Sequence, residues 1–282
     1  MSRACCVVVF PLLLSLSLLP RHTHTRTHTH GNSYDGHGGD QISERLTTTL
    51  HAHVAKALEE ADAAAASSDG GGGGSDLSAP LIAAYEACDA EASQWAFESQ
   101  IFAGSTANSL LLRGDTLYCA NAGDCRAVLC RGGVALDLSR AHNPAAADEQ
   151  QRILDAGGHV RSRRVNGILA VSRAFGDIEL KKVWRASSQS TVPEASRNDI
   201  IIARPEVQKE TIVPGDLFLI VACDGLWDVM SSQQAVDYTL RFLLKTRDAD
   251  ATARLLADKA VDSGSVDNVT VIVALLRQHI EL

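Results

Sequence analysis

The chain has 282 residues, is 45% hydrophobic and carries a formal net charge of −8. That length and apolar content are enough to bury one substantial core. The acidic balance argues against a general nucleic-acid binder, which needs a basic face to meet phosphates.

At the front, Arg3 precedes an apolar run over residues 5–19. This run has the charge and length of a signal-peptide core and is short for a membrane span. Residues 21–30 then alternate His with Thr or Arg, a low-complexity tract of a composition that can bind metal. Three readings stand side by side: a misplaced or alternative first exon, a signal or anchor, and a functional His tract. The expected organisation is a leader at 1–30 and one domain at 31–282.

Ile42, Leu46, Leu50, Val54 and Leu58 recur every four residues, which predicts a helix whose apolar stripe packs on a sheet. Residues 63–78 are rich in Ala, Ser and Gly and include Gly70 to Gly74, which predicts a flexible loop inside the domain. A second helix is expected over 81–97, with Tyr85, Cys88 and Trp95 towards the core. From residue 105, short strands alternate with turn signals, at 109–112, 116–120, 126–130 and 134–138, a pattern of antiparallel pairing. Residues 148–156 read as a helix stopped by Gly157 and Gly158. Later strands are expected at 200–203, 207–213, 217–222 and 269–275, and helices at 233–244 and 251–263. The Ser-rich insert at 181–198, with Trp184 and Pro193, reads as a surface loop that touches a substrate protein or carries phosphosites. Antiparallel strands with helices in separate blocks indicate an α+β fold.

Seven cysteines are an odd number without zinc-site spacing, and Cys119, Cys125, Cys130 and Cys223 lie inside apolar, strand-like runs. They read as reduced core residues, which places the chain in a reducing compartment, cytoplasm or nucleus. A true signal at residues 1–20 would instead make it secretory or membrane-anchored.

Three aspartates stand out: Asp35, Asp224 and Asp267 are each followed by glycine or asparagine, with Asp224 at the end of an apolar run and Asp267 just before one. Their contexts are Tyr34-Asp35-Gly36-His37-Gly38-Gly39, Val221-Ala222-Cys223-Asp224-Gly225-Leu226-Trp227-Asp228 and Asp267-Asn268-Val269-Thr270. A carboxylate delivered at a strand edge, beside a glycine that lets backbone and ion approach, suits a hard cation such as Mg²⁺ or Mn²⁺. An isolated Asp-Gly is more often a plain turn, so the joint pattern carries the weight. Further blocks are Gly104-Ser105-Thr106-Ala107, Ala120-Asn121-Ala122-Gly123-Asp124-Cys125-Arg126-Ala127-Val128, His142-Asn143-Pro144, Leu169-Ala170-Val171-Ser172-Arg173-Ala174-Phe175-Gly176-Asp177 and Ala203-Arg204-Pro205-Glu206-Val207. In this order they resemble the type 2C metal-dependent Ser/Thr protein phosphatases, the PPM family, nearly continuously from Asp35 to Leu276.

The resemblance implies an antiparallel β-sandwich with helices on both outer faces and metals at one edge. It implies hydrolysis of phosphoserine and phosphothreonine on proteins, by direct attack of metal-bound hydroxide with no phospho-enzyme. Asp35 would bridge two Mg²⁺ or Mn²⁺ ions, with Gly36 contributing its carbonyl and Asp224 and Asp267 completing one shell. His37 would be the general acid, or else only a hydrogen-bonding residue of its loop. Asp124 and Asp228 match positions that support a weaker third ion; the alternative role of Asp124 is to cap its turn. Asn268 would orient the Asp267 loop, and Arg173 reads as a structural pairing residue. Phosphoprotein substrates are the implied partners, and a monomer is expected. The family's first two strands also carry a phosphate-binding arginine and an acidic pair, for which no equivalent precedes Asp35. From this follow two expectations: an unpaired sheet edge, which is an aggregation hazard, and an alternative function as a catalytically inactive, phosphatase-like binding module.

Overall fold

The computed structural model describes residues 6–9, 29–67, 76–181 and 199–276. The expected apolar stripe is the buried face of the first helix, α1 (Gln41–Ser67): Ile42, Leu46 and Leu50 are inaccessible and Val54 and Leu58 nearly so. The alanines at 63–65 continue this helix where a loop was expected, because Ala has the highest helix propensity; residues 68–75, with Gly70 to Gly74, lie outside the described residues. The second helix, α2 (Ser78–Ser99), buries Tyr85 and Cys88 and packs the half-buried Trp95 against the same core.

Two antiparallel sheets stack face to face. In chain order the strands are β1 (Cys6–Val9), β2 (Thr29–His37), β3 (Gly104–Ser105), β4 (Ala107–Arg113), β5 (Thr116–Ala122), β6 (Arg126–Arg131) and β7 (Val134–Asp137). They continue with β8 (Val160–Arg161), β9 (Arg164–Val165), β10 (Phe175–Gly176), β11 (Glu206–Thr211), β12 (Asp216–Ala222) and β13 (Val271–Leu275). The first sheet runs β10-β3-β2-β4-β5-β11 with β1 beside β2, and the second runs β13-β12-β6-β7. The remaining helices are α3 (Ala147–Asp155), the single turn α4 (Asp224–Trp227), α5 (Ser232–Thr246) and α6 (Ala249–Asp262).

The sandwich follows from the pattern of β12, which is apolar at successive positions because both its faces are covered. Leu219 and Val221 face the other sheet and pack with Leu110, Leu117, Cys119, Ala127 and Leu129. Phe218, Ile220 and Ala222 face outward beneath α5 and α6, where Val236, Leu243 and Leu256 cover them. Helices α1 and α2 cover the outer face of the first sheet in the same way. Short-range signals start the outer helices: Ser231 and Gln234 form a reciprocal capping box at α5, and the Asp248 carboxylate accepts from the Ala251 N–H at α6. Among the described residues, no helix is long and apolar enough to cross a membrane.

Two expectations are corrected. The edge beside β2, expected to be unpaired, is occupied by residues 6–9, with Val7 opposite Tyr34 and Val8 opposite Ser33. A Cys-Val-Val-Val run has strong strand propensity and supplies the missing ladder bonds. Of the expected leader, residues 6–9 and 29–30 are thus strand, and residues 10–28 lie outside the described residues. Residues 200–203, expected to be a strand, form only an isolated bridge between Ile202 and Arg173. Ile200 and Ile201 are apolar because they seal the cluster around Ile153, Val165 and Ala174. Their N–H groups donate to the Leu180 carbonyl and that of Ala174 donates to the Ile202 carbonyl, so no ladder is needed.

Candidate metal centre

Asp35 lies in β2 where that strand leaves β4 and turns to β3: Ser33 still faces Asn108 of β4, whereas Gly36 faces Ser105 of β3. Its backbone is tied on both sides, since the Thr106 N–H donates to the Asp35 carbonyl at 2.9 Å and the Asp35 N–H to the Thr106 hydroxyl at 3.3 Å. Asp224 arrives from the second sheet, one residue after Cys223, whose N–H donates to the Thr270 carbonyl. Gly225 must be glycine here, because a Cβ would collide with the Asn268 carbonyl, so α4 presses against the loop before β13. One side-chain atom from each of Asp35, Cys223 and Asp224 lies within 4.8 Å of the others.

The other expected ligands surround this trio. Asp267 is exposed, with Oδ1 accepting from the Asn268 N–H at 2.7 Å, and its charge acts on both Asp35 and Asp224. Asp124 is half-buried after Gly123; its charge acts on Asp35, and that of Asp224 acts on it. Asp228 is exposed at the end of α4, close enough for its charge to act on Asp124 and Asp224. His142 anchors the Asp124 turn: its Nδ1 accepts from the Gly123 N–H and its carbonyl from the Ser172 N–H.

The electrostatics of this group are unfavourable without a cation. Burial first, then the neighbouring Cys223, Asp224, Asp124 and Asp267, push Asp35 up to about 9. Burial and the charge of Asp224 push Asp124 up to about 7, and burial with Asp267 and Asp228 raises Asp224. Among the described residues, Asp224 Oδ1 is buried with no hydrogen-bond partner, a state that costs about 1–3 kcal/mol unless something satisfies it. The Cys223 thiol donates to the Asn268 carbonyl at 3.2 Å, which leaves the donor set one of hard carboxylate oxygens. A divalent cation with oxygen ligands fits both the orphaned atom and the uncompensated charge.

His37 stands beside this group and has a partner that the sequence reading did not identify. Its Nε2 lies 3.0 and 2.8 Å from the two carboxylate oxygens of Asp177. Burial alone would lower the imidazole, but the Asp177 carboxylate outweighs it and holds His37 above its ordinary value. Asp177 belongs to the Phe175-Gly176-Asp177 block quoted above, yet its role depends on a contact across 140 positions, for which the sequence carries no local signal. Arg173, in the same block, is a pairing residue: Nη2 donates to Glu149 Oε1 at 2.6 Å and Nη1 to the Arg204 carbonyl at 3.0 Å.

Residues 16–269 match the family model described as protein phosphatase 2C. A rice protein named probable protein phosphatase 2C 2 (Oryza sativa subsp. japonica) is 38% identical over 246 residues, covering 85% of this chain and 59% of its own length. An Arabidopsis thaliana protein named probable protein phosphatase 2C 59 is 37% identical over 243 residues, covering 85% of this chain and 67% of its own. The chain thus spans roughly three-fifths to two-thirds of the length of these relatives. Among solved structures, a serine-threonine phosphatase 2C from Toxoplasma gondii superposes with a TM-score of 0.71 at 22% identity, over 89% of this chain and 85% of that one. A C. elegans sex determining protein gives a TM-score of 0.72 at 24% identity, over 89% of this chain and 57% of that one. These two structures share the sandwich fold described above.

Proposed function

Because the chain belongs to the protein phosphatase 2C family, we propose that it is a metal-dependent phosphatase that hydrolyses phosphoserine and phosphothreonine on proteins. The observation that carries this reading is the meeting of Asp35 and Asp224, delivered by opposite sheets, with a buried Asp224 oxygen that has no partner among the described residues. Asp35, the Gly36 carbonyl, Asp224 and Asp267 would hold two Mg²⁺ or Mn²⁺ ions, and Asp124 with Asp228 a weaker third. When bound, such ions clamp phosphoryl oxygens and make water a nucleophile near neutral pH.

The chain's own residues do the rest. Gly36 is buried in the β2 and β3 pairing, which fixes its carbonyl beside Asp35. Cys223, fully buried, lies against Asp35 and Asp224 and keeps water from that side. His37, two residues after Asp35 and held above its ordinary pKa, carries the proton that the departing seryl or threonyl oxygen needs.

The test is Mn²⁺-dependent phosphate release from a phosphothreonine peptide by this chain, beside Asp224→Ala and an EDTA control. Release that both controls abolish is the expected result. A folded chain that releases nothing above the controls would overturn the reading in favour of an inactive, phosphatase-like binding module.

A further inference from the structure

Asp177 sits in a notch that the fold has cleared for it. It follows β10, whose Phe175 and Gly176 pair with Ser105 and Gly104 of β3, and it has φ of +48°, a left-handed conformation that costs a non-glycine residue about 1 kcal/mol. Its N–H donates to the Ala103 carbonyl at 3.1 Å, and its carbonyl accepts from the Leu180 N–H at 2.9 Å, which holds that conformation. A Cβ on Gly104 would collide with both the Asp177 carboxylate and the His37 ring. The side chain is 9% exposed, and both of its oxygens face His37 Nε2. Strained backbone, a residue without a side chain opposite, and a two-oxygen contact all converge on one ring edge.

We infer that Asp177 is a positioning residue for His37: it engages Nε2, sets the plane of the imidazole and leaves Nδ1 to meet the leaving oxygen. The inference rests on the phosphatase reading above. In the step it serves, water adds to phosphorus and gives up a proton to solvent, the bond from phosphorus to the seryl or threonyl oxygen breaks with its electron pair on that oxygen, and His37 supplies the proton that makes the free hydroxyl and then regains one from solvent. A ring released from Asp177 would still be present but misaligned, and misalignment on the ångström scale costs about a hundredfold in rate.

The test compares Asp177→Asn, His37→Ala and the double variant, with Mn²⁺, on a phosphothreonine peptide and on p-nitrophenyl phosphate, whose leaving group departs without a proton. Asn occupies the left-handed region readily, so Asp177→Asn keeps the fold, which circular dichroism checks. The expected result is a fall in kcat of about 10- to 100-fold on the peptide with KM within about twofold. The fall on p-nitrophenyl phosphate should be at least about tenfold smaller, and the double variant no slower on the peptide than His37→Ala alone. Equal losses on the two substrates, or losses that multiply in the double variant, would overturn it. If the unmodified chain hydrolyses neither substrate, the phosphatase reading itself falls, and imidazole ¹⁵N resonances decide the contact. A shift of the His37 ring nitrogens in Asp177→Asn supports it, and unmoved resonances overturn it.

Discussion

Glu149 and Asp35 are both carboxylates taken out of water by the same fold, and their surroundings drive them in opposite directions. Glu149, in α3, is 1% exposed. Burial alone would raise it, but Arg173 Nη2 at 2.6 Å, Arg152 Nη2 at 2.9 Å and the Ser172 hydroxyl hold it at about 2. Among the described residues, Asp35 faces Asp224, Asp124 and Asp267 and the thiols of Cys223 and Cys125, and it rises to about 9. One cluster is finished by the chain's own cations. The other has carboxylates that raise one another, a state that the metal proposed above would relieve.

The largest effect is expected at the acidic cluster. Asp224→Ala, or chelation of the metal, should reduce phosphate release by about 10³-fold, the equivalent of about 4 kcal/mol of lost transition-state stabilisation. Steady-state assays with Mn²⁺ titrated back read the effect, and excess Mn²⁺ should recover the chelated wild type but not the variant.

At the finished cluster, Glu149→Gln should cost about 3 kcal/mol, because two arginines lose their buried partner. Denaturant unfolding measures this. The folded value of Glu149 lies below its unfolded value of 4.5, so its contribution is fully present above pH 4.5 and is lost as the pH falls towards about 2. The gap between wild type and Glu149→Gln should therefore close over that window.

The acidic cluster has the opposite sign. The folded values of Asp35 and Asp124 lie above the unfolded 3.8, so their contribution is present below pH 3.8 and is lost as the pH rises through about 7 and about 9. A cation that cancels the repulsion should raise Tm by about 5 °C at pH 8 and by much less at pH 5. Differential scanning calorimetry with and without Mn²⁺ reads the difference, and a pH-independent shift would count against a carboxylate site.

The smallest effect is expected at an exposed pair that belongs to neither cluster. Arg45 donates to Glu91 at 2.8 Å and lies 4.7 Å from the Trp95 ring centre, yet Glu91 is 48% exposed. Arg45→Ala should cost under about 1 kcal/mol, chiefly through lost packing on Trp95.

Relations between near neighbours are legible in the chain before it folds. The four-residue spacing from Ile42 to Leu58 made an amphipathic helix inevitable, the doubly apolar run of β12 specified a strand covered on both faces, and Ser231 with Gln234 marked where α5 begins. The aspartate blocks identified which carboxylates to watch, since each is tied to a glycine or asparagine beside it. Tertiary structure decided the relations between distant segments. Only folding brings Asp35 and Asp224 together from opposite sheets, sets Asp177 against His37 across 140 positions, and lays residues 6–9 along β2. It also turned residues 200–203 from a strand into a seal under α3, since apolar character records burial but not the partner that provides it. Periodicity is a property of one segment. A salt bridge, a ladder or a charge left uncompensated is a property of two, and its partner is chosen by packing.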